Sequence, residues 1–163
     1  MKCVDCGHTM ETRQENYRYH ASGLPGVVLH GVQVSRCPAC GAEEVTIPRI
    51  EELHRVIAQA LIQKPARLVA SEVRYLRKYL GWSGTDFARY MGTARETVSR
   101  WESGAGQMGG AADRLLRVLV ANQKPVMAYS PDILAGIEDK ASTPKPVHLG
   151  LTVDRRGWHA KAA

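Results

Sequence analysis

The stretch GTARETVSRWESG, residues 92–104, decides how the chain is read. Val98 and Trp101 stand three apart and share one face of a helix, while Arg95, Glu96, Ser99 and Arg100 point elsewhere. Thr93 and Glu96 have the spacing of a capping box, and Gly104 fits a helix stop. After Gly81, a second short helix begins at Ser83-x-x-Asp86 and carries Phe87, Ala88 and Met91 as its apolar stripe. Two short helices joined by a tight turn at Gly92 make a helix-turn-helix, whose second helix enters the DNA major groove.

The pattern continues on both sides. A helix over residues 71–80 turns Val73, Leu76 and Leu80 to the core. Downstream, a Gly-rich loop over residues 103–110 leads to a closing helix. That helix has Ala112, Leu115, Leu116 and Leu119 inward and Arg114 and Arg117 outward, and Pro125 stops it. The run LRKYLGWSGTDFARYMGTARETVSRWESG resembles the helix-turn-helix of the XRE (phage repressor-like) family. The resemblance implies that Arg77 pairs with Glu102 inside the domain. It further implies that Arg95, Glu96 and Arg100, with Thr97 beside them, face base edges. Arg can bond guanine in a bidentate way and Glu can accept from cytosine. Thr97, Ser99 and the start of the preceding helix, with Ser83 and Thr85, suit phosphate contacts. Many members carry Gln just after the cap of that helix, where this chain has Gly84. A homodimer on a palindromic operator in double-stranded DNA is expected.

Charge placement agrees with such a partner. The net charge is +6 over 163 residues. Residues 1–64 are neutral, residues 65–125 carry +5 and the remainder +1. The excess therefore lies on the helix-turn-helix segment. Hydrophobic residues make up 44% and charged residues 23%, a globular balance. No apolar run approaches the ~18 residues of a membrane span, and the N-terminus lacks a signal-peptide core. The expected place is the cytoplasm, on the nucleoid, with no membrane partner.

At the N-terminus, Cys3-x-x-Cys6-Gly7 and Cys37-x-x-Cys40-Gly41 form twin knuckles. Each turn brings two thiolates to one side, and the Gly after the second Cys allows a positive φ. Cys3, Cys6, Cys37 and Cys40 together make a four-sulfur site for one structural zinc ion. The intervening residues exceed ordinary ribbon spacing, so an extra hairpin should fill the gap. Tyr17 and Tyr19 alternate with polar residues, residues 21–26 are turn-rich, and residues 27–35 form a second strand with a bulge at Gly31. Val32 and Val34 face one way beyond it, and residues 44–47 form a third strand. His8, His20 and His30 are left outside a metal shell that four sulfurs already fill.

Pro48 opens an amphipathic helix with Ile50, Leu53, Ile57 and Leu61 on one side and Glu51 and Glu52 in its first turn. In the tail, Ser130-Pro131-Asp132 starts a short helix with Ile133, Leu134 and Ile137. Val147, Leu149, Leu151 and Val153 alternate as a strand that turns at residues 154–157 towards Trp158. A lone hairpin is marginal in water. It must dock on the zinc-bound sheet, on a second protomer or on a partner.

The expected fold is therefore α+β. Residues 1–47 form a small zinc-bound antiparallel β unit, 48–64 a connecting helix and 65–125 an all-α helix-turn-helix domain. Residues 126–163 are an extension with a short helix and a β-hairpin. An N-terminal unit with MKCVDCG and CPACG ahead of such a domain resembles the MqsA (YgiT-type zinc-finger) antitoxins over residues 1 to about 125. The resemblance implies a non-enzymatic antitoxin. Its zinc unit would neutralise a ribonuclease toxin and its helix-turn-helix would repress the toxin–antitoxin operon. Two other readings remain: a zinc-ribbon helix-turn-helix regulator with no toxin partner, and a thiol-redox protein using the Cys-x-x-Cys pairs.

Overall fold

The computed structural model describes residues 1–123 and 143–161. Its elements are β1 (Glu11–Arg18), a single 3-10 turn (His20–Ser22), β2 (Val27–Arg36), β3 (Glu43–Thr46), α1 (Ile50–Gln63), α2 (Ala70–Tyr79), α3 (Gly84–Tyr90), α4 (Arg95–Ser103), α5 (Gly110–Gln123), β4 (Leu149–Asp154) and β5 (Gly157–Lys161). The fold class is α+β, as the sequence predicts. The short helix expected at residue 130 lies outside the described residues.

β2 is the spine of the sheet. β1 lies antiparallel along one edge, and this hairpin fills the gap between the knuckles. Along the other edge, β3 pairs antiparallel with residues 33–36 and β4 pairs parallel with residues 27–29. Within residues 1–47 the pairing is antiparallel as expected, and the added β4 makes the whole sheet mixed. On β2, His30 and Gly31 stand opposite Asn16 alone, and Gly31 has φ 65°. That bulge has a packing consequence. Val27 and Leu29 are buried, and so are Val32 and Val34, which a strict period of two would turn to solvent. The extra residue restores them to the core.

The buried face of the sheet packs on α1. Leu53, Ile57, Ala58, Leu61 and Ile62 of α1 are buried, and they belong to one continuous core with the sheet and the helices α2 to α5. Ile50 departs from the expected stripe and is 46% exposed, while Ala58 and Ile62 complete the inward face. α1 therefore packs on both the sheet and the helical part. A polar bridge runs the same way: His54 of α1 meets the Tyr75 hydroxyl of α2 at 2.7 Å and the Tyr19 hydroxyl of the sheet unit at 3.2 Å.

The C-terminal hairpin docks on the zinc-bound sheet. Leu149 N–H donates to Gly26 O at 2.7 Å, Leu151 is fully buried, and the buried Trp158 indole donates to Pro48 O at 2.7 Å. Close approach is built into the residues. A Cβ on Gly157 would stand 2.2 Å from a Glu52 carboxylate oxygen of α1. Ahead of β4, Val147 N–H donates to Glu72 at 3.0 Å, and Lys64 Nζ donates both to Glu72 and to Lys145 O. Glu72 in turn accepts the Val69 N–H at the start of α2.

In α5 the structure corrects the expected orientation. Leu116 and Val120 are buried, but Leu115 is 42% exposed and Arg117 is fully buried. Asp113, Leu116, Arg117 and Val120 follow the i, i+3, i+4, i+7 line. Arg117 turns inward because it bonds Asp113 at 2.7 Å and the carbonyls of Ile62, Lys64 and Ala66, at the end of α1 and in the loop after it.

Candidate metal centre and nucleic-acid face

The two knuckles are built alike. In the first, Cys3 N–H donates to His8 O at 2.8 Å and Gly7 N–H to Cys3 O at 2.9 Å. In the second, Cys37 N–H donates to Ala42 O and Gly41 N–H to Cys37 O, both at 2.9 Å. Gly7 has φ 75° and Gly41 φ 77°, the left-handed turn expected of them. Pairing of Lys2 with Thr9 closes the first loop, and β2 with β3 closes the second.

These turns bring four sulfurs together. Cys3 and Cys40 lie 3.6 Å apart, Cys6 and Cys37 3.4 Å, and all four lie within 4.8 Å of one another. A zinc–sulfur bond of about 2.3 Å gives tetrahedron edges of roughly 3.8 Å, so the set fits one ion. The backbone N–H of Cys40 pointing at the Cys37 sulfur, with further help from Ala39, holds that thiol down to about 6. The Cys6 thiol is pushed up to about 12, because the lowering His8 backbone bond is outweighed by the neighbouring sulfurs of Cys37, Cys40 and Cys3. Sulfurs this close can all be thiolates only around a cation. Four sulfurs complete a tetrahedral shell, which is the arrangement of a structural zinc rather than an open catalytic one. His8, His20 and His30 are not part of this cluster.

The two helices expected to form a helix-turn-helix are α3 and α4. Ser83 caps α3: its hydroxyl accepts the Asp86 N–H at 3.0 Å, and Asp86 reaches back to the Ser83 N–H. The same hydroxyl donates to Asp86 at 2.6 Å. This cap matches the expectation, and it commits the Ser83 side chain. The Ser83 hydroxyl and N–H hold the Asp86 carboxyl below its usual range. Thr85 is exposed.

α4 differs from the expectation at its start. Its N-cap is Ala94, with no side-chain cap, so Thr93 and Glu96 form no capping box. The reason is local: Thr93 N–H closes on Ala88 O at 3.0 Å and belongs to the end of α3. Gly104, with φ 81°, ends α4 as predicted. Val98 is buried and Trp101 meets Phe87 edge-on at 6.3 Å between ring centres. Arg95, Glu96, Ser99 and Arg100 are exposed together, and Thr97 is half-buried. Arg77 holds Glu102 in a two-pronged bond and donates to Trp82 O at 2.7 Å, which fixes the end of α4 against α2.

The sequence reading missed Lys64, Glu72, Asp113 and Arg117, which join the parts of the molecule. Asp113 and Arg117 stand at the i, i+4 spacing of an ion pair, and that was the available signal. Nothing in the sequence placed Lys64 on Glu72.

No helix among the described residues is long and apolar enough to cross a membrane. No curated protein and no solved structure matches the chain. Over residues 1–127 the sequence matches the family described as the antitoxin component of a bacterial toxin–antitoxin system, MqsA. That match covers both knuckles and the helices α1 to α5, and with the four-sulfur site it assigns this chain to the MqsA antitoxin family.

Proposed function

We propose that this antitoxin is also a sequence-specific DNA-binding repressor of its own operon, and that its toxin partner is a ribonuclease. The observation that carries the first part is the division of α4. Val98 and Trp101 are turned to the core, while Arg95, Glu96, Ser99 and Arg100 are left together on the solvent side. That is the division an XRE-type recognition helix needs. Arg95, Glu96 and Arg100 read base edges in the major groove, and Thr97, Ser99 and Thr85 contact phosphates. Ser83 contributes through the cap that positions α3. The +5 charge of residues 65–125 supports phosphate binding. Two such helices on a homodimer would read a palindromic operator. The zinc-pinned sheet presents the surface for the toxin, and no catalytic role is assigned to the chain.

Titration of the protein against duplex from its own promoter tests the DNA reading. Arg100→Ala should cost about 1–3 kcal/mol of specific binding. Equal loss on an unrelated duplex would move Arg100 from base reading to phosphate contact, and no loss would remove it from the face. For the toxin, co-purification of the full chain from its native cell should bring down a second protein at equal amount. Ribonuclease activity of that protein should vanish when the antitoxin is added back. Recovery of the chain alone, with DNA fragments, would leave a zinc-stabilised repressor.

A further inference from the structure

We propose that the cleft between the 3-10 turn, α1 and α2 binds a small phosphate-bearing ligand of mononucleotide size. The cleft has a volume of about 490 Å³, within the range of small-molecule sites. Three cations line it from two different helices: Arg55 of α1, and Arg74 and Lys78 of α2. Among the described residues that line it, Glu51 is the one carboxylate, so this lining is net positive. Like charges facing each other across a cleft raise its potential and concentrate anions there. Arg55 and Lys78 form no ion pair among the described residues. Their charges are thus available to a ligand, and the Arg forks suit phosphate oxygens.

The rest of the lining favours a phosphate joined to a ring over a bare ion. Tyr75 and Tyr79 supply an aromatic wall, and Ser71 a hydroxyl. His54 is not a further cation here, because both of its ring nitrogens are taken up by the Tyr19 and Tyr75 hydroxyls and burial lowers its pKa. It links the sheet unit to α2 through these two bonds. Arg74 is already engaged elsewhere: it donates to Glu102 O at 2.9 Å and its Nε lies 3.7 Å from the Glu102 carboxylate, at the end of α4, so Arg55 and Lys78 carry the free charge of the cleft. A ligand that draws on Arg74 would therefore bear on the DNA-facing helix. This regulatory consequence rests on the DNA reading above; the binding site does not.

Calorimetric titration of the zinc-loaded full chain, without DNA, tests the site. The probes are the four ribonucleoside 5′-monophosphates, inorganic phosphate and adenosine. We expect saturable one-to-one binding of a monophosphate, no binding of adenosine, and at least about a tenfold loss in the Arg55→Ala/Lys78→Ala double variant. Both side chains are exposed, so the variant should melt as the parent does. Absence of saturable binding by every phosphate probe overturns the proposal, as does equal affinity in the double variant. If only duplex DNA loses affinity in the variant, the cleft is an extension of the DNA face and the small-ligand site is overturned. Operator titration with and without saturating nucleotide reads the link through Arg74, and an unchanged affinity overturns that link.

Discussion

Arg117 is the residue on which most of the helical part converges. Its guanidinium has no exposed surface, and its bonds to Asp113 and three backbone carbonyls use four of its five N–H donors. The carbonyls of Ile62 and Lys64 lie at the end of α1, where the helix dipole favours a cation. Arg117→Met should cost about 3–5 kcal/mol in urea unfolding, because Asp113 is left as a buried charge short of its partner. A loss under about 1 kcal/mol would show that Arg67, 3.5 Å from Asp113, takes over. His54 gives a pH prediction. Burial lowers its pKa below the ordinary value of 6.5, so the unfolded chain binds the proton more readily. Its contribution is fully present above about pH 6.5 and is lost as pH falls through the lower folded value. His54→Gln should flatten that part of the stability–pH curve. At Gly84 a Cβ would meet nothing within 4 Å. Gly84→Gln should therefore fold normally and tighten operator binding, by placing an amide donor at the start of α3; weaker binding would place α3 away from the DNA.

The C-terminal hairpin is the element whose role changes most between chain and fold. It extends the sheet beside residues 27–29 of β2, and its Trp158 buries against the start of α1. Its approach segment is held by Lys64 and Glu72. These contacts tie the sheet to α2 from the outside, while α1 ties them from the inside. Trp158→Ala should cost about 3–5 kcal/mol by cavity formation. Deleting residues 143–163 should cost more than this, and should raise amide exchange at residues 27–29. A truncated chain with unchanged stability would show the hairpin to be an ornament on a core complete without it.

At the scale of the whole molecule, two cores of unequal size decide what metal removal does. Cys3, Met10 and Cys37 form a small cluster of their own, apart from the main core shared by the sheet and the helices. Chelation should therefore melt the knuckles but leave the helical signal in circular dichroism nearly intact, and Cys37→Ser should do the same. Loss of the helices along with the zinc would mean that the main core depends on the metal. The same continuity bears on fragments. A piece spanning residues 65–125 lacks the buried Leu61 and Ile62, and two of the carbonyls that Arg117 bonds. It should be less stable than the full chain by several kcal/mol, as each lost large apolar side chain costs about 2–5 kcal/mol.

The amino-acid order by itself determined what depends on short spacings. The four zinc-binding cysteines, the glycine turns behind them, the bulge at Gly31, the Ser83 cap and the Arg77–Glu102 pair were all legible, since local geometry fixes which of these residues meet or repeats a known motif. The helices α3 and α4 were legible for the same reason: Phe87, Val98 and Trp101 recur at helical intervals between glycine stops. Only the tertiary structure decided where long-range partners lie. The hairpin could pair with any open strand edge, and β4 took the parallel place beside β2. The inward turn of Arg117 went against its charge, because a buried cation is stable only where a carboxylate and backbone carbonyls are placed to bond it. Alternation and helical periods say which face of an element is apolar. Which other face covers it is settled by packing among segments distant in sequence, and no spacing along the chain records that.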